Sequence, residues 1–185
     1  MLENIDVADF WRRNGLDYII PKKSPNEFPE GFDVLGTLRE WLGDTVTEVG
    51  CGRGRLSPAF DNYTGYDINP AALEIARARY PGDKRFELMP DTVTAETVLL
   101  YTVLLHIPDK DLAAFLKRIK AERLLIAEIM DRSYRRPLIF DQVPVFNRSP
   151  VEYEQFGRVI RRQEYRYDYY PGVTMTWLLL EPGRK

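Results

Sequence analysis

Residues 46–54 limit the possible folds of this chain more than any other segment, because a predicted buried strand that contains the acid Glu48 leads directly into a glycine-rich turn. The run Val46–Val49 has the composition of a buried strand, and Gly50, Gly52 and Gly54 follow it at every second position. Glycine has no Cβ, so it adopts positive φ and lets the backbone approach a ligand closely. This spacing therefore predicts a strand that ends at a binding site for a flat or extended ligand.

A second acid, Asp67, ends the next predicted strand and precedes a helix that begins at Pro70. In dinucleotide-binding folds, an acid about 20 residues after the glycine turn binds the ribose hydroxyls, because a carboxylate accepts two hydrogen bonds from a cis diol. Asp67 follows the turn at a comparable distance. A turn or helix-capping aspartate is the alternative, and the glycine turn upstream favours ribose binding.

The remaining pattern alternates strands with helices. Strands are predicted at 45–49, 63–67, 86–89, 97–102 and 123–129, and helices at 7–14, 32–42, near 56, at 70–79 and at 110–120. Such alternation predicts a doubly wound parallel sheet that binds its ligand at the carboxyl ends of the strands.

The tail of the chain follows a different pattern. A capping box at 149–152 predicts a short helix that ends near Phe156. Strands at 159–169 and 174–180 then predict a hairpin around Pro171-Gly172. We therefore predict an α/β, single-domain Rossmann-like fold over residues 1–185, with about seven mostly parallel strands and a C-terminal antiparallel hairpin.

Composition limits the class of protein. The chain has 185 residues, a net charge of −2 and one cysteine, Cys51. This charge gives no overall positive field to attract nucleic acid or an anionic membrane. A single cysteine excludes an intrachain disulfide and suits the reducing cytoplasm. The sequence has neither a secretory signal nor a long apolar run nor a metal-ligand cluster, so we expect a cytoplasmic protein without a membrane span or metal site.

Three segments together resemble the class I S-adenosylmethionine-dependent methyltransferases. They are EVGCGRG at 48–54, GYDINPAALEIAR at 65–77 and LLYTVLLHIPD at 99–109. The resemblance runs from about Val46 to Met130 and continues more loosely through the tail. It implies a methyltransferase (EC 2.1.1.-) with S-adenosyl-L-methionine as cofactor and S-adenosyl-L-homocysteine as product. The spacing of Gly52 and Gly54 departs from the nicotinamide-binding pattern, and Glu48 stands where the family more often has aspartate.

The resemblance also implies roles for individual residues. Asp91 would accept a hydrogen bond from the adenine amino group, the backbone of Thr92 would meet the ring, and Ile68 would pack on its face. The backbone near Tyr101 and Thr102 would face the methionine half. The expected cofactor residues are Glu48, Gly50, Cys51, Gly52, Gly54, Asp67, Ile68, Asp91, Thr92, Tyr101 and Thr102. A solvated loop is the alternative for Asp91 and Thr92, and Ile68 would also suit ordinary core packing.

His106 and Tyr101 are the candidate catalytic residues, because the resemblance places both in the segment that lines the methyl-transfer site. An imidazole can act as a general base near neutral pH. Family members with unrelated substrates carry histidine here, however, so a structural role for His106 is favoured. Methyl transfer from a sulfonium is an in-line displacement, and holding the acceptor in line supplies much of the catalysis without a base.

Two segments are candidates for covering the acceptor: the N-terminal helix and lid-like loop at 1–31, and the connection at 131–158. Their cations and aromatics could hold an anionic small molecule, a glycan or a phosphate, although a solvated connection is the alternative. The expected substrate-binding residues are Trp11, Tyr18, Arg132, Arg135 and Arg136.

We expect methyl transfer to an O or N atom of a small-molecule or glycan-like acceptor. The alternatives are a nucleic-acid or protein methyltransferase, a non-catalytic S-adenosylmethionine-binding module and a nicotinamide-dependent oxidoreductase. Arg161-Arg162 and the nearby tyrosines suit nucleic-acid stacking. Their period of two and the acidic composition instead favour a half-exposed strand.

Overall fold

The computed structural model describes residues 6–18, 32–132, 145–166 and 173–183, and only the backbone of residues 14–18. The helices are α1 (Val7–Tyr18), α2 (Val34–Leu42), α3 (Pro70–Arg79), α4 (Asp109–Lys117) and α5 (Pro150–Glu154). The strands are β1 (Thr45–Val49), β2 (Asn62–Asp67), β3 (Arg85–Leu88), β4 (Val93–Tyr101), β5 (Ile119–Glu128), β6 (Arg158–Arg166) and β7 (Thr174–Glu181). Single 3-10 turns cover Ser57–Ala59 and Leu104–His106.

The strands form one mixed sheet in the order β3-β2-β1-β4-β5-β7-β6. β1 and β3 both run parallel to β2, and β4 runs parallel to β5. β7 runs antiparallel to both β5 and β6. This arrangement confirms the predicted Rossmann-like α/β sheet with its antiparallel C-terminal strands. None of the helices in the described ranges is long and apolar enough to cross a membrane.

The chain divides into two compact units, residues 1–90 and 91–185. In the first unit, α3 packs against β2 and β3, and α1 packs against α3. Three buried rings fill its core: Tyr63 lies 6.1 Å from Phe60 and 5.6 Å from Phe86, measured between ring centroids. Asn69 caps α3, because its Oδ1 accepts a hydrogen bond from Ala72 N at 3.0 Å.

The second unit has its core along β4, β5 and β7, where 97–101, 124–128 and 175–180 are buried runs. Near-continuous burial is typical of central strands that are covered on both faces. β6 is an edge strand of the sheet and is mostly exposed. The capping box predicted at 149–152 is confirmed, since Ser149 and Glu152 make the reciprocal hydrogen bonds.

Three predicted boundaries in this unit were wrong. β4 begins at Val93 rather than at residue 97, and β5 begins at Ile119. α4 therefore ends at Lys117, three residues before the predicted end. The reason is tertiary pairing: Val93 N donates to the carbonyl of Arg118 at 2.9 Å, and Val93 pairs with Ile119 in the parallel ladder. The predicted hairpin turn at Pro171-Gly172 lies outside the described residues.

Candidate functional site

The glycine turn after β1 has the backbone conformation that its composition predicts. Gly50, Gly52 and Gly54 have φ values of 79°, 53° and 74°, which L side chains adopt only with strain. Gly50 N and Cys51 N both donate to the carbonyl of Tyr66, at 2.7 and 3.0 Å. The turn is therefore fixed against the end of β2.

Asp67, the last residue of β2, is hydrogen-bonded to this turn. Its Oδ2 accepts from Gly52 N and its Oδ1 from Asn69 N, both at 2.8 Å. Burial raises the pKa of the Asp67 carboxyl, and the same N–H donors oppose that effect. Each carboxylate oxygen has two lone pairs, so Asp67 can accept further hydrogen bonds, as from a diol.

Glu48 lies beside the glycine turn and is buried. The hydroxyl of Tyr63 donates a hydrogen bond to its Oε2. Burial raises the pKa of Glu48 to about 7, while the Tyr63 hydrogen bond and the positive charge of Arg55 act in the opposite direction. The carboxylate thus has a partner within the protein, and its expected contact with a cofactor stays a prediction.

Asn69 connects the β2–α3 turn to the N-terminal helix. Besides capping α3, it donates through Nδ2 to the carbonyl of Trp11 at 3.0 Å. The ring of Trp11 is half-buried and lies edge-on against Phe10, with ring centroids 5.5 Å apart. Ile68, between Asp67 and Asn69, is also half-buried. The structure therefore brings Trp11, Asp67, Ile68 and the glycine turn to one part of the first unit.

The second unit contains a strained segment directly after β4. Thr102 has φ of 56° and is the sole non-glycine residue with positive φ in the described part of the chain. For a β-branched residue this is a genuine outlier, and such strain persists only where the surroundings enforce it. Thr102 N donates to the carbonyl of Ala127 at 2.8 Å, and its Oγ1 donates to the carbonyl of Tyr101 at 2.7 Å. We call residues 102–107 the β4 turn.

Glu128, at the end of β5, is a buried acid that the sequence analysis missed. It is 0% exposed and accepts hydrogen bonds from three backbone N–H groups of the β4 turn, those of Val103, Leu104 and Leu105. Burial raises its pKa to about 8, and these donors and Arg148 oppose the rise. An acid that ends a buried strand is the signal that identified Asp67, and it was available here too.

Arg148 was predicted to lie in the cationic connection after β5, but its side chain is only 2% exposed. It donates to the carbonyls of Leu104 and Ile107 at 2.7 and 2.6 Å, and to Asp109 Oδ1 at 2.8 Å. A buried guanidinium with these partners is part of the protein interior. It holds the carbonyl side of the β4 turn.

The two candidate catalytic residues are both buried. The hydroxyls of Tyr101 and Tyr165 are 2.5 Å apart, and Trp177 lies edge-on to both rings. His106 ends the 3-10 turn, and its backbone N donates to the carbonyl of Val103 at 3.0 Å. A catalytic role for either residue stays a prediction.

The remaining predicted residues lie on the surface or outside the described ranges. Asp91 and Thr92 are exposed, and the carbonyl of Asp91 accepts from Arg118 Nε at 2.6 Å. Arg132 is ion-paired with Glu152 at 2.8 Å. The side chain of Tyr18 and residues Arg135 and Arg136 lie outside the described residues. Within those residues, no group of three or more His, Cys, Asp or Glu side chains is placed to hold a metal ion.

Comparisons with known proteins identify the type of domain and the fold. Residues 47–125 match a family model described as a methyltransferase domain. An S-adenosylmethionine-dependent methyltransferase from Anabaena variabilis ATCC 29413 has a TM-score of 0.70 at 17% identity, with 97% of this chain and 96% of that one covered. The magnesium protoporphyrin IX methyltransferase from Synechocystis PCC 6803, solved with bound S-adenosylmethionine, has a TM-score of 0.68 at 15% identity, with 97% and 99% covered. A search of curated protein sequences returned no match.

Structural likeness at such low identity shows the fold, and the family match adds the activity. The matched residues 47–125 include the glycine turn, Asp67 and the β4 turn. The chain therefore carries a class I S-adenosylmethionine-dependent methyltransferase domain.

Proposed function

We propose that this enzyme methylates an O or N atom of a small-molecule or glycan-like acceptor. The likeness to the magnesium protoporphyrin IX methyltransferase supports a small acceptor, because that enzyme's named substrate is a small molecule and the two chains cover 97% and 99% of each other. The net charge of −2 supports it too, since nucleic-acid-binding proteins usually present an overall basic surface.

The observation that carries the cofactor assignment is the carboxylate of Asp67 next to the glycine turn. Both of its oxygens are oriented by backbone N–H donors and keep acceptor capacity for the two ribose hydroxyls. The three glycines of the turn have positive φ and no Cβ, so the backbone can approach a ligand closely. We assign the ribose to Asp67 on these grounds.

The other cofactor contacts in the proposal follow the family resemblance. Ile68, Asp91 and Thr92 would meet the adenine, and the backbone of Tyr101 and Thr102 would meet the methionine half. When bound, S-adenosylmethionine supplies a methyl group that its sulfonium already activates. The protein's task is then to orient the acceptor and exclude water, a proximity effect of up to several kcal/mol.

On the acceptor side we propose Trp11 and Arg132, together with Tyr18, Arg135 and Arg136. Arg132 pairs with Glu152 at the surface, with 68% of its side chain exposed. An exposed ion pair is worth little, so an anionic acceptor could replace Glu152 at small cost. His106 is proposed as a structural residue of the β4 turn in preference to a general base, because it is buried within the 3-10 turn.

The nucleic-acid alternative has weaker support from the exposed arginines of β6. Arg158 pairs with Glu181, and Arg162 pairs with Glu154 and Glu164. Neighbouring carboxylates therefore offset the charges of Arg158 and Arg162, and a phosphate backbone would have to displace them. The acidic overall charge points in the same direction.

The acceptor class can be tested by labelling. Purified enzyme is incubated with methyl-labelled S-adenosylmethionine and with cell extract separated into metabolite, RNA and protein fractions. We expect label in the metabolite fraction, and much less of it with the Asp67→Asn variant at a low concentration of S-adenosylmethionine. Label confined to RNA or protein would contradict the small-acceptor proposal while leaving the methyltransferase activity intact.

A further inference from the structure

We infer that Glu128 and Arg148 are positioning residues that hold the β4 turn in its strained conformation and thereby set the affinity for the amino-acid half of the cofactor. The inference rests on the proposed function, in which Tyr101 and Thr102 meet that half. Neither Glu128 nor Arg148 has a role in the cofactor contacts proposed above.

The first support is the way Glu128 meets the turn. Its Oε1 accepts from Val103 N at 2.9 Å and from Leu104 N at 2.6 Å, while Oε2 accepts from Leu105 N at 3.3 Å. These are N–H groups at the start of a 3-10 turn, which has no internal acceptor for them. A fully buried carboxylate is costly unless its oxygens are hydrogen-bonded, so the acid and the turn depend on each other.

The second support is that Arg148 binds the carbonyl groups of the same turn, whereas Glu128 binds its N–H groups. Its guanidinium donates to the carbonyls of Leu104 and Ile107 and is anchored by Asp109. Phe146 N adds a hydrogen bond to the carbonyl of Leu105 at 2.7 Å. The N–H side of the turn thus faces an acid and the carbonyl side faces a cation. One of these groups comes from the segment just before α5.

The third support is strain at Thr102, the residue that the proposal places against the cofactor. Its positive φ is maintained next to Val103, whose N–H is bonded to Glu128. Without the Glu128 carboxyl group, the N–H groups of Val103, Leu104 and Leu105 would lack their acceptor, and the backbone at 102–103 could relax to reach others. Relaxation would move the backbone that meets the methionine half and leave the ribose site at Asp67 as it is.

Two ligands that share the adenosine part differ in the half that the β4 turn would contact. S-adenosylhomocysteine carries the amino-acid half, and 5′-methylthioadenosine lacks it. We expect Glu128→Ala to weaken S-adenosylhomocysteine binding about tenfold or more, because all three hydrogen bonds to the β4 turn are lost, with less than a twofold change for 5′-methylthioadenosine. A general loss of folding would weaken both ligands alike.

Calorimetry with both ligands on the full chain tests the inference. Glu128→Gln should recover part of the affinity, because its amide oxygen can still accept from Val103 and Leu104. Arg148→Lys should show the same selective loss as Glu128→Ala, since an ammonium cannot reach both carbonyls and Asp109 in the planar geometry of arginine. Glu122→Ala is the matched control, an exposed acid on the same strand, and should bind both ligands as the wild type does.

Hydrogen–deuterium exchange gives a readout without ligand. Amides of residues 102–107 should exchange faster in Glu128→Ala, while those of β7 stay protected. Equal loss of both ligands, or unchanged affinity with unchanged exchange, would overturn the inference alone. A wild-type protein that binds neither ligand would overturn the proposed cofactor site, and the inference with it.

Discussion

The carboxylate of Asp67 accepts a hydrogen bond from Gly52 N at 2.8 Å, so the acid that ends β2 is bonded to the middle glycine of the turn that follows β1. The two sequence signals that predicted a nucleoside site are therefore parts of one hydrogen-bonded unit. Its second oxygen accepts from Asn69 N at the same distance. The carboxylate is held before any ligand arrives.

Asp67→Asn is expected to weaken S-adenosylhomocysteine binding at least tenfold, on the order of 1.5–3 kcal/mol. An amide has one acceptor oxygen, so its NH2 group would face one of the two backbone N–H donors and could not accept from the diol. Titration calorimetry measures the loss. Asp61→Asn is the control, since Asp61 precedes β2, is exposed and pairs with Arg39. Equal affinity of wild type and Asp67→Asn would remove the ribose assignment.

Gly54→Ala is expected to destabilise the fold by about 1–3 kcal/mol. Gly54 has φ of 74°, and a Cβ there would lie 2.6 Å from Cε1 of the buried Phe86 ring. Gly43→Ala separates the two causes, because Gly43 has φ of 78° but no atom within 4 Å of a built Cβ. Urea unfolding should show the smaller loss for Gly43→Ala. A similar loss for both variants would mean that the Phe86 contact is relieved at no cost.

The stability of the folded protein should decrease as the pH rises, because of the raised pKa of Glu48. Its pKa is about 7 in the folded state against 4.5 for the unperturbed side chain. The native state therefore binds this proton more tightly than the unfolded state, and the resulting stabilisation, fully present below pH 4.5, is lost as pH rises through 7. The change attributable to this group is on the order of 3 kcal/mol.

Glu48→Gln tests that dependence, because glutamine keeps an acceptor for the Tyr63 hydroxyl and does not titrate. The free energy of unfolding, measured across the same pH range, should change less in the variant than in wild type. The variant should gain stability relative to wild type toward alkaline pH. Parallel curves for the two proteins would show that Glu48 titrates normally.

Asn69→Asp should loosen α1 while preserving α3. Aspartate is as good an N-cap as asparagine, so the hydrogen bond from Ala72 N is kept. It has no N–H to donate to the carbonyl of Trp11, so the amides of α1 should exchange faster in hydrogen–deuterium exchange. Asn69→Ala should in addition lose about 1 kcal/mol of stability. Unchanged exchange in α1 with Asn69→Asp would show that other contacts hold the helix.

The parts of the fold that the sequence predicted best are those with local signals. β1 and α3 begin and end at the predicted residues, because a glycine turn ends the strand, and Asn69 with Pro70 starts the helix. The start of β4 was missed, since Thr94 and Glu96 are exposed polar residues and pairing with β5 places them in the strand. Local sequence patterns do not show which segments will pair in the folded sheet.

In the candidate site, too, the features with local sequence signals were predicted, and those that depend on distant contacts were not. The pairing of Asp67 with the glycine turn follows from motif spacing and strand order. The role of Arg148 depends on carbonyls about forty positions earlier in the chain, so its sequence neighbours suggested an exposed cation instead. Glu128 ends a buried strand like Asp67, but no motif drew attention to it. An acid that ends a buried strand is therefore a candidate for a structural or binding role even where no motif surrounds it.

The single cysteine has a practical consequence. Cys51 is buried, a Cβ on Gly65 would lie 2.8 Å from its Sγ, and burial raises the pKa of its thiol. Thiolates are the form that reacts with maleimides, so the folded enzyme should resist such reagents. A cysteine introduced at Val151, which is 70% exposed, would then accept a fluorophore or spin label at one known position, with the native thiol left in place.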